Sequence, residues 1–385
     1  MIPADLDFLN DPALAKVWDA LPDARVVGGA VRDGLANRPV ADIDLATPSP
    51  PEAVIAALRD AGVKVVATGL AHGTVTAVVD GHGFEVTTLR RDVETDGRHA
   101  VVAFTADWRQ DASRRDFTMN AMSIARDGTL FDYFGGNADL HAGRVRFVGD
   151  PATRIAEDYL RILRFFRFYA RFGHVPPDAA TLQALRAGIP GLARLSVERV
   201  WNELHRILAA PDPVAAVEQM DRLGIWTAVV PEASAVDRLG GLPADPVLRL
   251  AAMLTGDPLA LALRLKMSNE DRDRLVRLTV TPSAGGSDAD LRRLLADHAP
   301  ADLIDRTWLD ANPDARRRLS TMARPVFPLE GRDVVAGGVP AGPRVGALLR
   351  DVRQWWMDGG CVADRSACLV QLARTAKSPN IGDKR

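Results

Sequence analysis

Arg25-Val26-Val27-Gly28-Gly29-Ala30-Val31-Arg32-Asp33, followed by Asp42-Ile43-Asp44-Leu45-Ala46-Thr47, is the stretch from which the fold is read. The first segment predicts a short strand, a glycine turn and a helix start. The second predicts another strand. Alternation along a strand puts Asp42 and Asp44 on one face. Two carboxylates side by side repel unless cations lie between them, and hard oxygen ligands of this kind suit magnesium. Two such ions are a common device of phosphoryl-type transfer. A glycine turn running into a helix lets backbone N–H groups approach a phosphate, and Arg32 in the first turn reaches the same anion. Taken alone, the same residues also describe a tight turn with a surface arginine and a solvated acid pair. A dinucleotide fingerprint is excluded, because Gly28-Gly29 lacks the G-x-G-x-x-G spacing and paired aspartates follow closely.

Working outward, residues 64–68, 73–79 and 83–90 are rich in β-branched side chains and predict strands, with a short amphipathic helix over 51–61. Glu85 shares a strand face with Thr87. It is a candidate third carboxylate, ligating metal or acting as a base, or else a glutamate facing solvent. Residues 91–110 are polar, weakly patterned and predict a long loop. Beyond about residue 150 the pattern becomes helical, beginning with a strong helix over 157–172. Pro/Gly breaks then follow at Pro176-Pro177, Pro211-Asp212-Pro213, Gly240-Gly241 and Gly337-Gly338. The fold class is α+β: a mixed-sheet head with helices over 1–145, then an all-helical neck (146–205), body (206–270) and tail (271–385).

The 385 residues are too many for one ordinary core. A hydrophobic share of 47% with 25% charged residues excludes disordered and fibrous classes. No apolar run approaches a bilayer span, and no basic segment followed by an apolar one opens the chain, so a cytoplasmic protein without membrane attachment is expected. Cys361 and Cys368 fit neither a zinc site nor a redox pair. Their spacing predicts one side of a helix two turns apart, as buried thiols in a reducing cytosol. With a net charge of −2, any polyanionic partner has to be held by local basic patches.

Five motifs, in order over roughly the first 205 residues, make this sequence similar to the class II CCA-adding tRNA nucleotidyltransferase and bacterial poly(A) polymerase family, within the polymerase-beta-like nucleotidyltransferases. The first is the stretch quoted above. The resemblance implies that Gly28, Gly29 and Arg32 hold a triphosphate and that Asp42 and Asp44 hold Mg2+. The second is Arg114-Arg115-Asp116-Phe117-Thr118-Met119-Asn120-Ala121-Met122, whose Arg115, Asp116 and Asn120 are implied on ribose and phosphates. The third, Phe131-Asp132-Tyr133-Phe134-Gly135-Gly136 through Val148-Gly149-Asp150-Pro151, is implied as a hinge between head and neck. The fourth is Arg154-Ile155-Ala156-Glu157-Asp158-Tyr159-Leu160-Arg161-Ile162-Leu163-Arg164. The fifth is Leu195-Ser196-Val197-Glu198-Arg199-Val200-Trp201-Asn202-Glu203-Leu204, read as structural, with Ser196 as a helix N-cap.

Asp158 and Arg161, three apart on the expected long helix, share a face. Paired, they offer a fixed donor and acceptor edge to a nucleobase, which is how the family is thought to choose cytosine and adenine. The alternative is a solvated intrahelical ion pair. Arg164 is a further nucleotide-binding candidate. With Arg167 and Arg171 it also suits tRNA phosphates, or simply flanks the apolar stripe of Leu160, Leu163, Phe165, Phe166 and Phe168. The resemblance implies template-independent addition of C, C and A to the tRNA 3′ end from CTP and ATP, with pyrophosphate released. The 91–110 segment matches the family's flexible element, which favours full C-C-A addition. A poly(A) polymerase of the same family and a catalytically silent RNA-binding protein are the rival readings. No protein partner is implied, and the tail carries no His-Asp phosphohydrolase motif.

Overall fold

The computed structural model describes residues 6–67, 69–95 and 100–377. They divide into two compact units, one comprising Met1–Gly240 with Arg264–Lys266, the other Gly241–Leu263 with Met267–Arg385.

The first unit holds the sheet. Nine strands are formed among the described residues: β1 (Arg25–Val27), β2 (Asp44–Thr47), β3 (Lys64–Val66), β4 (Thr74–Val79), β5 (His82–Thr88), β6 (Arg90–Thr95), β7 (Ala100–Phe104), β8 (Met122–Ile124) and β9 (Leu130–Asp132). Seven make one sheet in the order β3-β4-β5-β2-β1-β8-β9. Only β2 and β5 run parallel, so the sheet is mixed as expected. β2 begins at Asp44, two residues later than expected, so Asp42 lies in the preceding loop and strand alternation does not set its face. Alternation in β5 is clean, with Phe84 and Val86 buried and Glu85 exposed.

The expected loop over 91–110 is corrected: β6 and β7 pair antiparallel as a separate two-stranded sheet, and the helix Trp108–Ser113 follows. The pairing shifts register between Asp92 and Glu94. A bulge there breaks the period-two pattern from which a strand is recognised. Residues 96–99 of that segment lie outside the described residues.

A second correction concerns the long helix. It spans Leu160–Phe172, and a shorter helix, Pro151–Glu157, precedes it. Asp158 separates them in extended backbone (φ −153°, ψ 108°), and its Oδ1 accepts the Leu160 N–H at 3.0 Å. The Leu160–Phe172 helix buries Leu160, Ile162, Leu163, Phe165, Phe166, Phe168 and Phe172. Phe117 of the head and Phe147 just beyond it pack into this stripe, with Phe117–Phe147, Phe117–Phe168 and Phe147–Phe165 centroids 4.9, 5.2 and 5.7 Å apart. Aromatic packing of this kind adds about 0.5–1.5 kcal/mol per pair beyond burial. It turns the opposite side of the helix, with Arg161, Arg164 and Arg167 at three-residue spacing, away from the core.

The second unit is helical throughout its described residues, with two cores of its own. One gathers Leu291, Leu295, Leu303 and Leu319, the other Val334, Val352, Trp356, Cys361, Cys368 and Leu372. The cysteines are buried and free as expected. They do not share a helix, since Cys361 lies beyond the end of the Pro343–Asp358 helix and Cys368 lies within Arg365–Lys377. No helix among the described residues is long and apolar enough to cross a membrane.

Candidate nucleotide site

Gly28 ends β1 with φ +68°, and its carbonyl opens the Gly29–Leu35 helix by accepting the Arg32 N–H at 3.1 Å. The angle disfavours any Cβ, and a Cβ would meet Arg115 Nη1 at 2.9 Å. Arg32 is held from two sides. It grips Asp33 through two N–H groups at 3.0 and 2.8 Å and donates to Asn120 Oδ1 at 2.7 Å. The Asn120 amide donates in turn to Asp116 Oδ1 at 2.9 Å, and Arg164 donates twice to Asp116 Oδ2, at 2.7 and 2.5 Å. One chain of hydrogen bonds thus ties the glycine turn to the Leu160–Phe172 helix.

Burial alone would push the Asp116 carboxyl up, but Arg164, the Asn120 amide and the Phe117 N–H outweigh it and hold it below the ordinary carboxylate range. Burial lowers the Arg164 guanidinium, and Asp116 with Glu203 more than offsets that. Arg115 is lowered, chiefly by burial, against the pull of Asp111.

These residues surround a cavity of about 570 Å³. Every predicted nucleotide-binding residue lines it: Gly28, Gly29, Arg32, Arg115, Asp116, Asn120, Asp158, Arg161 and Arg164. Arg90, Arg114, Arg167 and Arg199 complete a wall of eight arginines against two aspartates. A cavity of this size and charge suits a polyphosphate with a nucleoside attached.

The third carboxylate is placed by strand pairing. β2 and β5 set Asp44 directly opposite Glu85, and Cα partners in register project to the same side. The Asp44 carboxyl is raised above its ordinary range by partial withdrawal from water, then by Glu85 and Asp42, against the pull of Arg115. Asp42, Asp44 and Glu85 are therefore one electrostatic group, coupled to the cavity wall through Arg115. Among the described residues no three acidic, histidine or cysteine side chains are closed around an ion-sized space. The donor set, carboxylate oxygens that repel one another with partial relief from Arg115, fits a hard divalent cation.

The expected Asp158–Arg161 pair does not form. Asp158 Oδ2 accepts from Arg199 at 2.7 Å. Arg161 pairs with Glu157 and donates to the Arg154 and Arg114 carbonyls at 2.8 and 3.3 Å. The helix break at Asp158 takes its side chain off the face that Arg161 occupies. Both still line the cavity, each held by a partner of its own.

Sequence reasoning missed these partners. Asp111, buried, bonds Arg114 at 2.9 Å and Arg115 at 3.5 Å and accepts the Arg90 N–H at 3.2 Å. Arg199 and Glu203 sit in the motif read as merely structural, and Ser196, at the N-cap position, makes no side-chain capping bond. Arginines spaced three apart on the Leu160–Phe172 helix were the available sign that buried acids stand behind them.

Two family models match the chain: a poly A polymerase head domain over residues 24–146, and a probable RNA- and SrmB-binding site of polymerase A over residues 176–236. The mouse mitochondrial CCA tRNA nucleotidyltransferase 1 is 36% identical over 383 residues, which cover 92% of this chain and 87% of that protein. A Streptococcus pyogenes CCA-adding enzyme is 41% identical over 202 residues, 52% of this chain and 49% of that one. Among solved structures, the Bacillus stearothermophilus CCA-adding enzyme in complex with CTP superposes with a TM-score of 0.71 at 25% identity, covering 95% of this chain and 98% of that one. The length and level of these matches show that the chain belongs to the CCA tRNA nucleotidyltransferase family.

Proposed function

We propose that this protein adds C, C and A to the 3′ end of tRNA from CTP and ATP, without a nucleic-acid template, releasing pyrophosphate. The observation that carries this reading is the arginine-walled cavity, which gathers all nine predicted nucleotide-binding residues beside a coupled Asp42, Asp44 and Glu85 group. Asp42 and Asp44 would hold magnesium, with Glu85 beside them as the third carboxylate. Bound there, the ions would activate the attacking hydroxyl and neutralise charge on the leaving pyrophosphate.

The chain's own residues do the positioning. Arg32, Arg115 and Arg164 bind the triphosphate, Asp116 and Asn120 orient the ribose, and the Gly28 turn lets the phosphates approach the backbone. Asp158, fixed by Arg199, and Arg161, fixed by Glu157, present acceptor and donor groups to the base. The tRNA 3′ hydroxyl attacks the α-phosphate in line, and the fixed positive wall stabilises the charge that develops. The buried free thiols support a reducing compartment, and we place the enzyme in the cytosol. The names of the mouse and human relatives are mitochondrial.

The deciding experiment supplies a tRNA lacking its 3′ end with labelled CTP alone, ATP alone, or both, in the presence of Mg2+. Two cytidines from CTP alone, and a terminal adenosine only after them, are expected. Long ATP-only products on generic RNA would instead identify a poly(A) polymerase. Binding of tRNA with no Mg2+-dependent turnover would identify a silent RNA-binding protein.

A further inference from the structure

Glu203 lies on the Val197–Leu208 helix, 4% exposed, one layer behind the cavity. Its Oε1 accepts from Arg167 Nη1 at 3.1 Å and lies 3.9 Å from Arg164 Nη1. Its Oε2 is buried and has no hydrogen-bond partner among the described residues. Arg164 and Arg167 both line the cavity, stacked one turn apart on the same helix face. Like charges this close repel, and burial makes the repulsion stronger.

We propose that Glu203 is a positioning residue for the nucleoside triphosphate. It stands as the counter-anion behind Arg164 and Arg167 and fixes both as a two-guanidinium clamp on the polyphosphate. The proposal deepens the nucleotidyltransferase reading and rests on it.

The geometry distinguishes the two arginines. Arg164 has a second acid, Asp116, to hold it. Arg167 has Glu203 as its ion-pair partner and Phe168 beneath it, with the guanidinium 4.6 Å from the ring centroid. The charged groups that influence Arg167 are Glu203, Arg164, Arg206 and Asp116. Burial brings its guanidinium down to about 10 against the pull of Glu203, so it remains charged at neutral pH. Without Glu203, Arg167 faces two like charges, with only Asp116 left to oppose them.

The test is steady-state incorporation by the full chain, on tRNA lacking its 3′ end, with CTP varied at saturating tRNA and the reverse. The variants are Glu203→Gln, Glu203→Asp, Arg167→Met and the Glu203→Gln/Arg167→Met double. Glu203→Gln is expected to raise the CTP KM about tenfold with kcat changed less than about threefold, the pattern of lost ground-state binding. The tRNA KM is expected to stay put, and Glu203→Asp to recover part of the loss. Arg167→Met should raise the CTP KM at least as much. In its background Glu203→Gln should add little, because the two act through one contact. A fall in kcat with unchanged CTP KM, a shift in tRNA KM instead, or additive effects in the double variant would overturn the proposal. Should Glu203→Gln fail to fold, Arg167→Met decides alone, since an unchanged CTP KM there is equally fatal. Loss of wild-type CTP incorporation, by contrast, would sink the parent reading and is scored separately.

Discussion

Asp44 and Asp116 are aspartates of one site, and their surroundings push them in opposite directions. Asp44 is raised by desolvation and by Glu85 and Asp42. Its folded value exceeds the unfolded value of about 3.9, so its contribution favours the fold at acid pH and is lost as pH rises through the unfolded value toward the folded one. Withdrawal from water and repulsion by Glu85 and Asp42 work against the ionised carboxylate in the metal-free protein. Asp44→Asn should therefore raise the metal-free Tm, by about 1–2 °C given the exposure of the group. The same change should cut incorporation of both nucleotides at least about a hundredfold. Asp42→Ala should likewise abolish incorporation while tRNA binding survives, as should chelation of Mg2+. Calorimetry with EDTA and a filter-binding assay check these, and retained catalysis in either variant would refute the metal assignment. Asp116 shows the reverse. Its folded value is depressed, so its stabilisation is complete above the unfolded value and disappears as pH falls through the folded one. Asp116→Asn should cost about 2–3 kcal/mol at pH 7 and progressively less as pH is lowered below the unfolded value, measured by urea unfolding. These residues were legible from motif spacing, but their partners were not. Arg164 reaches Asp116 across 48 positions, Arg199 reaches Asp158 across 41 and Arg167 reaches Glu203 across 36, and only folding selects such pairs.

At the scale of elements, the sequence indicated the sheet, the glycine turn and the helical change near residue 150, because each rests on local periodicity. It failed where a side chain bonds the nearby backbone against the hydrophobic pattern. The apolar stripe and the Arg spacing run on without a visible stop, so a single helix over 157–172 is the natural reading. The Leu160 N–H taken by the Asp158 carboxylate breaks it. That break matters for base choice, since Asp158 and Arg161 are then held by Arg199 and Glu157 instead of by each other. Asp158→Ala and Arg161→Ala should each degrade discrimination of CTP and ATP against UTP and GTP more than they raise the KM for the correct triphosphate. Arg199→Ala should shift selectivity in the same direction by a smaller factor. Competition assays with mixed triphosphates decide this, and unchanged selectivity in all three would defeat the protein-read base. A second element-scale prediction concerns Gly136, at the start of the Gly136–His141 helix. A Cβ there would stand 2.1 Å from the Thr118 carbonyl oxygen, pressing on the short Thr118–Asn120 helix that carries Asn120. Gly136→Ala should cost at least about 1–3 kcal/mol and raise the nucleotide KM although residue 136 itself does not line the cavity. A nucleotide KM matching wild type would show that the contact relaxes without moving Asn120.

For the whole molecule, the decisive contrast is between a chain of net charge −2 and a cavity whose wall carries eight arginines and two aspartates. Long-range fields follow the net charge, whereas contact energy follows the local wall. A tRNA approaching from beyond a Debye length, about 10 Å at 0.1 M salt, therefore meets no net attraction. Once docked, its phosphates meet individual basic side chains at close range, and the counterions it sheds make the affinity depend on salt. These two facts separate the rate constants. Between 50 and 200 mM salt the tRNA Kd should rise about 20–150-fold, the range for three or four neutralised phosphates. The association rate constant should change less than about threefold, so that dissociation carries the dependence. Stopped-flow association at several ionic strengths, with dissociation followed by chase, measures both. An association rate that falls in step with affinity would mean that an extended basic surface steers the RNA from a distance. Short-range contact with individual basic side chains would then no longer account for how this chain holds tRNA.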